Sequence, residues 1–219
     1  MLVWAVKSRR ARVFVALVCS FAIAALGVVG TAHSARAANK PDFFDVPVNA
    51  KFYKEITLLA DRKVTTGYAD GGFHPKSPVS RAAFAAFLYR MLGEHDDKLP
   101  KQSPFKDVKP VDQFYKEIIW VYQMGISTGY SDKTFRPRDG ISREAIAAFL
   151  YRFEKPDFEA PSKSPFKDMT TRSKFYKEVT WMADMHFSTG YSDGTYRPKI
   201  DVSREAVAAF LYRAYFARE

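Results

Sequence analysis

Three arginines, Arg81, Arg143 and Arg204, each follow a serine at the head of an alanine-rich segment, and three aspartates, Asp45, Asp107 and Asp168, each stand two residues after a phenylalanine. Three glycines, Gly67, Gly129 and Gly190, each precede a tyrosine, Tyr68, Tyr130 and Tyr191. A guanidinium presents a planar fork that matches a carboxylate, and at the start of a helix it works beside the positive end of the backbone dipole. A carboxylate accepts from hydroxyls, glycine admits close backbone approach, and tyrosine adds an aromatic face. These are tools for binding. Tools for bond breaking do not recur with them: beyond residue 37 the histidines are His74, His95 and His186, and His74 aligns with Arg136 and Arg197, His186 with Lys63 and Gly125. No nucleophile and base stand together, and Asp70 and Asp132 sit in short turns without the alternating oxygens of a calcium loop. The chain is expected not to be an enzyme and to need no metal or cofactor.

The elements that position these residues come in three copies. Phe43-x-Asp45, Phe105-x-Asp107 and Phe166-x-Asp168 open units in which Phe-Tyr-Lys-Glu, Thr-Gly-Tyr-x-Asp, aromatic-x-Pro and Ser-Arg follow in one order, closing with Phe-Leu-Tyr-Arg. Each unit predicts helix, loop, helix. In the first helix Phe52, Ile56, Leu59, Ala60 and Val64 share one face, and Gly67 is expected to end it by reversing the chain. In the second, Ser80, Ser142 and Ser203 are expected N-caps, and Phe84, Phe87, Leu88 and Met91 form an apolar stripe. Alanines keep that helix thin and place it at the centre. The Asp70-Gly71-Gly72 and Asp193-Gly194-Thr195 stretches predict turns, and Lys133 in place of the glycine predicts strain or another turn type. A unit of about 60 residues buries little alone, so the short joints predict one all-α domain with pseudo-threefold symmetry.

Before the first unit, a basic stretch ending at Arg12, an uncharged run over residues 13–30 and a polar tail ending in Ala35-Arg36-Ala37 have the layout of a signal peptide over residues 1–37. An uncleaved anchor is the alternative, and the export route stays open. The units then occupy 38–102, 103–163 and 164–219. The only cysteine, Cys19, falls in the signal, so the exported chain is expected to be held by packing without disulfides. The net charge of +10 divides likewise: Lys7, Arg9, Arg10, Arg12 and Arg36 leave with the signal, and 29 basic residues remain against 24 acidic ones. No unit carries the basic patch that a phosphate backbone requires, which argues against nucleic acid as a partner.

The repeated F-x-D, T-G-Y-x-D-G-T-[FY]-x-P and S-R-E-A-x-A-A-F motifs resemble the S-layer homology family across essentially the whole exported chain. The resemblance implies a three-pronged all-α spindle whose inter-repeat grooves bind secondary cell-wall polysaccharide, in characterised cases through a pyruvylated sugar. It implies a secreted protein attached noncovalently to the cell wall, without stable membrane association once the signal is removed. Carried over by motif, Arg81, Arg143 and Arg204, Asp45, Asp107 and Asp168, and Gly67, Gly129 and Gly190 are the ligand-binding candidates, with Tyr68, Tyr130 and Tyr191 beside them to stack on a pyranose.

Other readings stand beside these. The arginines read also as braces that bond loop carbonyls, the aspartates as caps on their own first helix, the glycines as turn geometry, and the tyrosines as half-buried packing. The family's Glu three residues after the cap is missing: Ala83, Ala145 and Ala206 hold that position, and Glu144 and Glu205 stand one place earlier, with neither in the first copy. That departure supports an alternative function, an envelope protein–protein interaction or S-layer structural module without direct glycan binding.

Overall fold

The structure is a computed structural model and describes residues 43–91, 100 and 102–217. The signal-peptide reading and most of the joint between the first two repeats lie outside these residues. Among the described residues six helices follow in order: α1 Tyr53–Asp61, α2 Arg81–Met91, α3 Tyr115–Gln123, α4 Arg143–Glu154, α5 Tyr176–Asp184 and α6 Arg204–Tyr215. The described residues contain no β-strand, and the fold is all-α with two helices in each of three repeats.

The first helix of each repeat has an unusual entry. Phe52, Phe114 and Phe175 precede it in the left-handed region, at φ 62°, 64° and 57°, and none offers a side-chain cap. A non-glycine residue pays about 1–2 kcal/mol for that conformation, so packing must enforce it. The exit differs from the sequence expectation. α1 ends at Asp61, and the reversal falls at Lys63, with Gly125 and His186 in the same role at φ 57°, 68° and 59°. Gly67 lies beyond the helix and serves the loop instead. Its φ is 69°, and a Cβ there would stand 2.5 Å from the Phe43 ring and 2.9 Å from the Gly72 carbonyl. Gly129 and Gly190 repeat the arrangement against Phe105 and Phe166.

The second helices are buried nearly all round, as their alanines predict: Phe84, Ala85, Ala86 and Leu88 are all at most 1% exposed. Ser80 Oγ accepts from the Ala83 N–H at 3.1 Å and Ser142 Oγ from Ala145 at 3.4 Å, whereas the Ser203 side chain caps nothing.

Helices pair between repeats. α2 packs on α3, α4 on α5, and α6 returns to α1, so each prong takes one helix from each of two neighbouring repeats. Tyr89 meets Trp120 edge-on at 5.5 Å in the first prong, and Tyr151 meets Trp181 at 5.4 Å in the second. Leu58 holds the tryptophan position in the third.

Where the three repeats converge, the backbone closes on itself. Val79 N–H donates to Val202 O at 2.9 Å, Val202 N–H to Ile141 O at 3.0 Å, and Ile141 N–H to Val79 O at 2.8 Å. All three side chains are at most 2% exposed. Hydrogen bonds screened from water in this way are costly to leave unmade, which ties the repeats into one cooperative unit.

Candidate functional site: the seams between repeats

Each seam forms where the second helix of one repeat starts against the loop of the next. The first-turn amides, usually free to receive an anion, are already engaged there. Arg81 N–H donates to Asp139 O and Ala82 N–H to Pro137 O; Arg143 and Glu144 donate to Ile200 O and Pro198 O; Arg204 and Glu205 donate to Ser77 O and Pro75 O. A ligand therefore gains little from the helix dipole at these ends, contrary to the sequence expectation.

The motif arginines cross the same seams. Arg81 Nε donates to the Phe135 carbonyl at 2.8 Å, Arg143 Nε to Tyr196 O at 2.8 Å, and Arg204 Nε to Phe73 O at 2.7 Å. Arg143 adds a bond to Ser188 Oγ at 2.9 Å, and Arg204 one to Thr65 Oγ1 at 3.1 Å. All three residues are only 5–6% exposed. Burial pulls the Arg81 and Arg204 guanidinium groups below the usual arginine range, with Tyr130 and Tyr68 opposing the shift. Each sits over three rings, Arg143 over Tyr191, Tyr196 and Phe210 at 5.0, 4.6 and 5.3 Å, which offsets part of its desolvation. This is the bracing geometry, with the braced carbonyl belonging to the next repeat.

The aspartates are committed within their own repeats. Asp45 accepts from Phe73 N–H at 2.8 Å and His74 N–H at 2.7 Å, one on each oxygen. Asp107 takes Phe135 and Arg136, and Asp168 takes Tyr196 and Arg197, in the same way. His74, Arg136 and Arg197 each have φ near 57°. The carboxylate thus fills a concavity made by two successive amides and stabilises its left-handed residue. None of the three caps the first turn of its own helix, because the loop amides claim both oxygens.

The tyrosines line the rim. Tyr130 lies 4.9 Å from the Arg81 guanidinium and 4.0 Å from that of Arg136, and Tyr191 lies 5.0 and 3.9 Å from those of Arg143 and Arg197. In the first repeat Tyr68 stacks on His74 at 4.4 Å and is 47% exposed. Lys133 keeps the turn of its glycine counterparts: its N–H bonds Tyr130 O at 3.0 Å, as Gly71 does Tyr68 O, at φ 62°. The strain is there, and the turn is unchanged.

Two residues the sequence flagged only as displaced have clear partners. Glu144 Oε1 meets Lys199 Nζ at 2.6 Å, and Glu205 Oε1 meets Lys76 Nζ at 2.6 Å, each across a seam. The available signal was a paired change, since the first repeat has Ala82 where these glutamates stand and its seam partner has Arg138 where the lysines stand. Among the described residues no group of His, Cys, Asp and Glu could hold a metal ion, and no helix is long and apolar enough to cross a membrane.

A cyclic three-repeat helical module, braced by arginines that pass from each repeat into the next, is the class this architecture defines. The S-layer homology domain model matches residues 43–85, 104–147 and 165–208, and the chain belongs to that family. It is 31% identical over 179 residues to the endoglucanase of Bacillus sp. (strain KSM-635), covering 80% of this chain and 19% of that protein. It is 28% identical over 154 residues to the cellulosome-anchoring protein of Acetivibrio thermocellus, covering 68% and 34%. Over 187 residues it is 27% identical to the S-layer protein of Bacillus thuringiensis subsp. finitimus, covering 84% and 22%. The chain thus spans about a third or less of the length of these relatives.

Proposed function

We propose that the chain is a noncovalent anchoring module of the bacterial cell surface, holding anionic secondary cell-wall polysaccharide, such as a pyruvylated polymer, in the seams between its repeats. The observation that carries this reading is the threefold recurrence of one seam, a buried arginine beside a rim tyrosine that opens to solvent. The names of the anchoring and S-layer relatives agree with it. The match to the endoglucanase covers too little of that enzyme to bring its activity here. In this reading Tyr68, Tyr130 and Tyr191 meet the sugar, Arg81, Arg143 and Arg204 supply positive potential from behind them, and Asp45, Asp107 and Asp168 with Gly67, Gly129 and Gly190 set the loop shape. The purified protein should sediment with cell-wall sacculi and lose that binding once the secondary polymer is stripped. Equal sedimentation after stripping would sink the proposal.

One observation favours a second reading, a protein-interaction or S-layer structural module: the motif arginines spend their Nε–H groups on backbone carbonyls of the same chain. Tyr130→Ala combined with Tyr191→Ala discriminates the two. Loss of sacculus binding in a folded double variant supports the polysaccharide, and unchanged binding supports a protein partner.

A further inference from the structure

The first repeat departs from the other two at two places on its surface, and the departures complement each other. On α1, Leu58 stands where the other repeats carry Trp120 and Trp181. Those indoles are 4% and 3% exposed, and each meets the tyrosine of a neighbouring second helix edge-on. Leu58 is smaller and only half-buried. A cavity of about 550 Å³ opens beside it in the third prong, lined by Lys54, Thr57, Arg62, Tyr212 and Phe216 among others. The tyrosine that receives an indole in the other prongs is in place here as Tyr212, and the ring it would receive is missing.

Elsewhere in the same repeat a ring stands in solvent. Phe44 holds the position of Lys106 and Lys167, both exposed, and is itself 72% exposed. Single exposed apolar residues are ordinary, but here the supporting turn has changed as well. Gly72 replaces Thr134 and Thr195, and a Cβ at Gly72 would stand 3.0 Å from the Phe44 ring. The glycine lets the ring lie against the turn backbone. A ring already held in one place loses little freedom when a partner covers it.

We propose that copies of this chain associate by placing Phe44 of one copy in the third-prong notch of the next. A phenyl ring is smaller than the indole that the equivalent position holds in the other prongs, so it enters without displacing Tyr212. The charges agree with this pairing. The notch carries Lys54 and Arg62 against Asp61, and the turn beneath Phe44 carries Asp70, which lies 2.7 Å from His74. Ring and notch are different patches of one surface, so the contact runs head to tail. A buried phenylalanine covers about 150–250 Å², well short of the roughly 1,600 Å² of a standard stable interface. The association is therefore weak, with a Kd of about 0.1–1 mM, and tells between copies already held close together, as on a cell surface. The inference does not rest on the polysaccharide reading, because neither Phe44 nor Leu58 is among the residues assigned to the sugar.

The test uses two variants that each install the residue of the other repeats, Phe44→Lys and Leu58→Trp. Sedimentation equilibrium of the purified exported protein between about 10 µM and about 1 mM should show a weight-average mass that rises with concentration. Each variant alone should stay monomeric over the same range, the first for want of the ring and the second because its notch is filled. Mixed together they should associate again, since Phe44→Lys keeps the notch and Leu58→Trp keeps the ring. With Phe44→Lys isotope-labelled and Leu58→Trp added unlabelled, the amide NMR shifts of Leu58 and Arg62 should move and saturate. With the labels exchanged, those of Phe44, Gly71 and Gly72 should move instead. Association of Phe44→Lys alone at the native strength, or a mixture that leaves the Leu58 and Arg62 amides unmoved, would overturn the proposal. A native protein that stays monomeric to about 1 mM would also overturn it and leave the notch to a different polypeptide.

Discussion

Arg204, at the head of the last helix, donates its Nε–H to the carbonyl of Phe73 at 2.7 Å, a bond between residues 131 positions apart that fastens the third repeat to the first. Arg81 and Arg143 fasten the remaining neighbours in the same way. Replacing Arg143 or Arg204 by Ala leaves a buried carbonyl without its donor and a void under three rings. Each substitution should lower stability by about 3 kcal/mol or more, read as a lower urea midpoint. A variant that unfolds at the native midpoint would show that the bracing is dispensable.

Asp107→Asn keeps the shape of the side chain but turns one oxygen into an N–H₂ group facing a backbone N–H. The expected loss is about 1–3 kcal/mol, measured by denaturant unfolding. Sacculus binding by the folded fraction should be unchanged, since the carboxylate acts on the loop. Weakened binding at native stability would instead make Asp107 a ligand contact.

Lys63 and His186 hold left-handed conformations at helix exits where the second repeat has Gly125. Lys63→Gly and His186→Gly relieve that strain and should each stabilise by about 1 kcal/mol, partly offset by the greater freedom of glycine when unfolded. Each should raise the melting temperature by about 2–4 °C, which differential scanning calorimetry resolves.

Asp132 is held down to about 2 by its bond from the Thr134 hydroxyl, with Arg136 helping, and Asp193 is lowered likewise by Thr195 and Arg197. Both carboxyls have folded values below their unfolded ones. Their contribution to stability is therefore full above about pH 4 and fades as pH falls toward 2, because the unfolded chain takes up protons first. Both groups are exposed, so salt should weaken the effect. The double variant Asp132→Asn with Asp193→Asn should show a flatter stability curve between pH 4 and pH 2; an unchanged slope would place the acid sensitivity elsewhere.

The repeats, the helix positions and the caps on Ser80 and Ser142 were legible because each is written in local sequence and repeated. The pairing of helices between repeats was not. The apolar stripe of Phe84, Phe87, Leu88 and Met91 states that a face is buried and is silent on which repeat covers it. The left-handed phenylalanines at 52, 114 and 175 were equally hidden, since phenylalanine carries no preference for that conformation and long-range packing imposes it. At the site, the arginines and aspartates were found by recurrence. Their hydrogen bonds could not be, because a guanidinium that braces a carbonyl and one that awaits a ligand look alike in sequence. The lysine partners of Glu144 and Glu205 lie 55 and 129 residues away and become visible only against the Ala82 and Arg138 pair.

The ring of bonds through Val79, Ile141 and Val202 also bears on how such a chain can evolve. Each member gives one bond and receives one, so a two-unit relative would expose a donor and an acceptor at its centre, and a fourth unit inserted in tandem would find no vacancy. Duplication that keeps this centre intact must proceed by whole triplets, and a single unit cannot be lost without undoing the other two.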